Sequence, residues 1–93
     1  MNKELELKVN IMSRMAIIHF GHKHELMKFA EELFECGAAL CRRAQSRCTN
    51  YDLTSELADV SITMRHAMNA FGITDEELEK EIQNKLKKMW KEL

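Results

Sequence analysis

The sequence predicts an all-α protein of four helices. Proline is absent from the 93 residues and glycine occurs only three times, so residues that break helices are scarce. Residues that favour helices, such as Leu, Met, Glu and Lys, are abundant. Apolar residues also recur at helical spacing in four segments. These observations favour a four-helix bundle that forms one compact domain over residues 1–93.

The first two predicted helices are separated at Gly21. The first covers about residues 3–19, and the second runs from about His24 to Ser46. We expect an apolar stripe on the second helix to face the core, formed by Leu26, Phe29, Ala30, Leu33, Cys36, Gly37, Leu40 and Ala44.

The last two predicted helices have recognisable ends. Asp52 is the predicted N-cap of the third helix, which continues to Phe71 and ends at Gly72. Its expected core stripe includes Leu57. Thr74 begins the fourth helix, with a glutamate three residues later as in a capping box, and this helix extends towards the C-terminal end of the sequence.

Charge and composition argue against several classes of partner. The chain has 14 basic and 15 acidic residues, so its net charge gives no general attraction to nucleic acid or anionic lipid. The longest apolar stretch, residues 15–18, is far too short to span a bilayer. The charged opening MNKELELK does not resemble a signal peptide. Three cysteines without metal-type spacing favour reduced thiols in a cytoplasmic protein.

Two acidic motifs occur on neighbouring predicted helices. AEELFECG contains Glu31, Glu32 and Glu35, and ELAD contains Glu56 and Asp59. At about 100° per residue, the acids of each i, i+3 pair lie about 60° apart on one helix face. Both pairs also have the same angular position relative to a leucine of the expected core stripe. That leucine is Leu33 for the first pair and Leu57 for the second. If the helices pack antiparallel, four carboxylates converge.

These carboxylates allow two interpretations. Acidic pairs at this spacing are common on solvated helix faces, and a helical dimerisation module with an acidic surface is a non-catalytic alternative. A shared cation site is the other interpretation, because a divalent cation would relieve the repulsion between the carboxylates. Ligation by oxygen alone favours Mg²⁺ or Mn²⁺ over iron or zinc.

The EELFE and ELAD motifs resemble the EExxE…ExxD pattern of the all-α nucleoside triphosphate pyrophosphohydrolases, the superfamily of MazG proteins, dimeric dUTPases and phosphoribosyl-ATP pyrophosphatases. FGHKHELMKFAEELFE is similar to the MazG-like approach to the first motif, although Glu25 stands where the family usually has Gln. FGITDEELEKEIQNKLKKM resembles the closing helix. The resemblance covers about residues 16–90.

The resemblance implies a MazG-like fold completed by dimerisation, and a Mg²⁺-dependent hydrolase that releases pyrophosphate from a nucleoside triphosphate. It assigns metal binding to Glu32, Glu35, Glu56 and Asp59. Glu31 would be a further ligand or would position the attacking water. Candidate substrate contacts are Lys85 and Lys88 for the phosphates and His24. A phosphoribosyl-ATP pyrophosphatase is the alternative within the superfamily.

A few further expectations concern side chains outside the acidic motifs. The HFGHKH segment allows a zinc site through His19, His22 and His24, although it lacks an accompanying Cys or carboxylate ligand. His66 and Asn69 follow the second motif at helical spacing and could reach a base. A chain this short cannot enclose a nucleotide alone, so we expect a homodimer or homotetramer.

Overall fold

The computed structural model describes all residues from 1 to 93, and it confirms an all-helical chain with four helices. The helices are α1 (Lys3–Phe20), α2 (His22–Ala44), α3 (Asn50–Phe71) and α4 (Asp75–Glu92). None of the helices is both long enough and apolar enough to cross a membrane.

Glycine separates the helices at two of the predicted places. Gly21 has φ 89° and ψ 163°, a backbone region that is essentially restricted to glycine, and it ends α1 before α2 begins. Gly72 has φ 70° and ψ 25°, the left-handed conformation common after a helix C-terminus. A side chain at either position would strain the backbone, so both helix breaks follow from the sequence.

The N-termini of α3 and α4 are capped by threonines. Thr74 Oγ1 accepts a hydrogen bond from the backbone N–H of Glu77, which confirms the predicted cap, but the Glu77 side chain accepts no hydrogen bond from the Thr74 backbone N–H, so the predicted capping box is only half formed. At α3 the predicted cap is wrong: Thr49 is the N-cap, and Asp52 is the third helical residue. Asp52 accepts hydrogen bonds from the backbone N–H and the hydroxyl of Thr49, which completes a capping box.

Helices α2 and α3 form the most extensive helix pair, and α1 packs mainly on α3. Asn69 Nδ2 fixes α1 by donating to Ser13 Oγ at 3.0 Å and to Asn10 Oδ1 at 3.2 Å. Helix α4 packs on none of the other helices and buries no residue. An ion pair of 2.6 Å between Arg65 and Asp75 connects its first turn to α3.

The buried face of α2 differs from the predicted stripe. Leu33 and Leu57 are 48% and 46% exposed, so their assignment to the core is wrong for the single chain. Cys36 is buried as predicted, and the other buried side chains of α2 are Glu25, Glu32 and Ala39, which the predicted stripe did not include. Small side chains at two of these buried positions, Cys36 and Ala39, suit the close packing of helices, whereas the larger leucines of the predicted stripe remain about half exposed.

Candidate metal centre and adjoining groove

Three carboxylates from α2 and α3 lie together at the main helix interface. One oxygen atom from each of Glu32, Glu35 and Glu56 lies within 4.8 Å of the corresponding atoms of the other two. We call these three residues the carboxylate cluster. It contains three of the four predicted metal ligands, drawn from both acidic motifs.

Two oxygen atoms of the cluster have no partner. Glu32 is only 6% exposed, and its Oε2 is buried without a hydrogen bond. Oε2 of Glu56 is also buried and unpartnered. Burying a carboxylate oxygen in this way is unfavourable unless a donor or cation compensates for the lost hydration. The donor set consists of hard oxygen ligands, which fits Mg²⁺ or Mn²⁺.

Repulsion within the cluster is visible in the pKa of Glu35. The negative charge of Glu32 raises this pKa above its ordinary value of 4.5, and desolvation and the charge of Glu56 raise it further. The Glu35 side chain is exposed, whereas Glu32 is buried. A cation or a proton therefore has an accessible route to the cluster at Glu35.

Lys28 belongs to this site although the sequence analysis did not select it. Its Nζ lies 3.2 Å from Glu32 Oε1 and 3.6 Å from Glu31 Oε2. The hydrogen bond and charge of Glu32 raise the pKa of Lys28 above its ordinary value. Its i, i+4 spacing from Glu32 was the signal available in the sequence.

The other predicted ligands lie around the cluster. Glu31 is exposed and paired with Lys28. Asp59 is exposed and lies outside the group of converging oxygens, although its backbone carbonyl accepts a hydrogen bond from Thr63 Oγ1 at 2.7 Å. Lys85 and Lys88 are exposed on α4, which does not pack on the helices that carry the cluster.

A groove of about 550 Å³ adjoins the cluster between α1, α2 and α3. We call it the Glu25 groove. His24 and Glu31, both predicted site residues, line it together with Lys28, so the groove reaches the edge of the carboxylate cluster. The Phe20 and His24 rings stack at one wall with their centroids 4.7 Å apart.

Glu25 and His66 form a polar wall of this groove. Glu25 is 3% exposed, with Oε2 located 3.0 Å from His66 Nδ1 and Oε1 located 3.3 Å from His24 Nδ1. His66 Nε2 is buried and has no hydrogen-bond partner. Glu25 and His66 are 41 positions apart, so no local pattern in the sequence could indicate that they pair.

The HFGHKH histidines do not form a joint ligand set. His19 and His24 both contact Phe20, whereas the His22 ring lies against Phe71. The carboxylate cluster is the one group of His, Cys, Asp or Glu ligand atoms that converges closely enough to hold a metal ion. Asn69, which the sequence suggested as a base contact, instead connects α3 to α1.

A scan against protein-family models, a search of curated proteins and a search of solved structures each gave no match.

Proposed function

We propose that this protein is a Mg²⁺-dependent nucleoside triphosphate pyrophosphohydrolase. The observation that carries the proposal is the carboxylate cluster, in which Glu32 and Glu56 each have a buried oxygen without a partner. A solvated acidic surface gives no reason for such oxygens to be buried. A divalent cation would satisfy them and offset the repulsion that raises the pKa of Glu35.

Glu32, Glu35 and Glu56 would hold the metal, with Asp59 as a further ligand if its side chain turns inward from the next turn of α3. When bound, the metal would neutralise negative charge on the phosphates and lower the pKa of a bound water. Glu31 lines the adjoining groove and would position the water that attacks the α-phosphorus. A new P–O bond forms, the α–β anhydride breaks, and the products are the nucleoside monophosphate and pyrophosphate.

The proposal includes a homodimer or homotetramer. Leu26, Leu33, Leu40 and Leu57 are each about half exposed in the single chain, although their helical spacing is typical of a packed face. Their exposure supports an interface with another copy of the chain at this face. Lys85 and Lys88 would contribute to phosphate binding if α4 of one copy lay against the acidic helices of another. A cytoplasmic location remains our expectation, and all three cysteines are free thiols.

The decisive experiment measures pyrophosphate release from a panel of nucleoside triphosphates and phosphoribosyl-ATP, with Mg²⁺ and with EDTA. We expect Mg²⁺-dependent release that Glu35→Gln and Asp59→Asn abolish without loss of the fold. Glu81→Gln, which removes an exposed acid from α4, is the matched control and should retain turnover. Turnover only of phosphoribosyl-ATP would favour the alternative enzyme.

A helical dimerisation module is the second candidate, and the exposed leucines are the observation that favours it. Millimolar Mg²⁺ distinguishes the two functions, because a ligand that binds only the folded state raises the melting temperature. No shift with Mg²⁺, with or without nucleotide, together with no turnover, would favour the module.

A further inference from the structure

The Glu25 groove is built to distinguish ligands by hydrogen bonding. Glu25 is buried against α3, and a carboxylate at such a position is unfavourable unless it is hydrogen-bonded. An ionised carboxylate only accepts hydrogen bonds, so the protons in its contacts with His24 and His66 lie on the two Nδ1 atoms. When the His66 ring is neutral, its Nε2 is therefore also an acceptor.

The wall consequently presents acceptors without matching donors. A carboxylate has about four lone-pair positions, and the two histidines use one on each oxygen of Glu25. His66 Nε2 has no partner in the protein. A ligand group that donates a hydrogen bond would satisfy this wall, whereas a carbonyl oxygen would face other lone pairs.

The groove also has a surface suited to a planar ring. Phe20 and His24 stack with an angle of 23° between their rings, and Phe20 remains exposed. An aromatic face of this kind supports stacking of a nucleobase without distinguishing one base from another. Stacking would therefore hold the base, and the polar wall would select it.

The position of the groove matches a nucleotide that reaches the carboxylate cluster. Glu25 and Glu32 are seven residues apart on α2, which corresponds to about 10 Å along the helix axis. Lys28 lies between them, lines the groove and contacts Glu32. A base at Glu25 would direct its phosphates along α2 towards Lys28 and the cluster.

We propose that the Glu25 groove binds the nucleobase and selects bases with an exocyclic amino group, cytosine over uracil and adenine over hypoxanthine. Glu25 is the specificity-determining residue, and His24 and His66 hold its carboxylate in place. Guanine also carries an exocyclic amino group, and one lone pair on each oxygen of Glu25 remains free to accept from it, so guanine belongs to the preferred bases as well. This inference rests on the proposed function, because it assumes that the phosphates of the nucleotide lie at the carboxylate cluster.

The test compares kcat/KM for CTP with UTP, and for ATP with ITP, at pH 8, where neutral imidazole is the ordinary form. Each pair exchanges an amino group for a keto group and a ring acceptor nitrogen for a ring N–H. The ring N–H of the keto base lies beside a carbonyl oxygen, so donating it to Glu25 brings that oxygen against the acceptors of the wall. We expect a preference of about tenfold or more for the amino base, the effect of one hydrogen bond to a charged group. Glu25→Gln adds a donor to the wall, so the CTP-to-UTP ratio should fall close to one while UTP turnover is retained.

Phe20→Leu is the matched control, because weaker stacking should raise KM for CTP and UTP alike and leave their ratio unchanged. Equal kcat/KM for CTP and UTP in the wild type would overturn the inference but not the hydrolase function. If Glu25→Gln does not fold, the wild-type ATP-to-ITP ratio decides in its place.

If no triphosphate is hydrolysed, the hydrolase proposal fails and the groove is judged by binding alone. Calorimetric titration with CMP and UMP in EDTA then provides the readout. Tighter binding of CMP would support the inference, and equal binding or none would overturn it.

Discussion

The ammonium nitrogen of Lys28 lies 3.2 Å from Oε1 of Glu32, so a lysine of α2 balances part of the negative charge of the carboxylate cluster. A divalent cation at the cluster would compete with this ammonium group for Glu32. The hydrogen bond to Glu32 and the negative charge of Glu32 raise the pKa of Lys28 above its ordinary value.

The first prediction concerns this competition. Lys28→Met should tighten Mn²⁺ binding in the absence of nucleotide by about two- to fivefold, the range of an exposed ion pair. The same variant should raise KM for the triphosphate, because the groove loses its cation. Calorimetric titration with Mn²⁺ and steady-state kinetics measure the two effects.

Lys23→Met is the control for this experiment, because Lys23 is an exposed lysine of α2 outside the Glu25 groove. It should leave Mn²⁺ affinity unchanged. If Lys28→Met binds Mn²⁺ no more tightly than Lys23→Met does, Lys28 and the metal do not compete for Glu32.

The second prediction follows from the raised pKa of Glu35. The folded state binds this proton more tightly than the unfolded state does, so the free energy of unfolding falls as pH rises from 4.5 through the folded pKa. Glu35→Gln removes the repulsion with Glu32. In EDTA, its melting temperature should exceed that of the wild type at pH 7, and the difference should disappear below pH 4.5.

Melting curves between pH 3 and 8 test this effect, with Glu81→Gln on α4 as the control for removing an acid elsewhere. Saturating Mg²⁺ should reverse the order at pH 7, because the wild type then gains binding energy that the variant lacks. A difference independent of pH would show that repulsion at the cluster is not the cause.

The third prediction tests the capping box of α3. Thr49→Ala should lower the free energy of unfolding by about 1 kcal/mol at pH 7, the usual effect of losing an N-cap side chain. Hydrogen bonds from Thr49 also lower the pKa of Asp52 below its ordinary value of 3.8. The stability that Asp52 contributes is therefore present above pH 3.8 and is lost as pH falls through the lower, folded pKa.

Urea unfolding at pH 7 and pH 2 measures both contributions. Asp52→Asn should be less stable than the wild type at pH 7 and more nearly equal to it at pH 2. Ser55→Ala, an exposed change in the same helix, should cost little because alanine favours helix. If Thr49→Ala and Ser55→Ala behave alike, the cap does not stabilise α3.

Local sequence signals predicted the helices well because local chemistry determines where they end. Gly21, Gly72 and Thr74 act through backbone conformation and one hydrogen bond, so each could be recognised from the sequence. At α3, Thr49 and Asp52 are both good capping residues, and only the structure shows that Thr49 occupies the cap while Asp52 completes the box.

Pairing between helices was harder to predict because it depends on which face each helix buries. Angular spacing placed Glu32 and Glu56 on corresponding faces, and their carboxylates do lie together. The same reasoning took Leu33 as the core position, yet Glu32 is the buried neighbour. Apolar periodicity does not distinguish a face that packs within the chain from one that would pack against another copy. Glu25 and His66 meet only through tertiary packing.

The fourth prediction concerns Leu26, Leu33 and Leu40 of α2, which recur at intervals of seven residues and are about half exposed in the single chain. Leu33→Lys would place a charge at the centre of the proposed subunit interface, where desolvating it is costly. We expect the wild type to sediment as a dimer or tetramer and the variant to sediment as a monomer with a lower melting temperature. Gln45→Lys adds the same charge at the end of α2 and should keep the wild-type assembly. A monomeric wild type at high protein concentration would contradict the predicted interface.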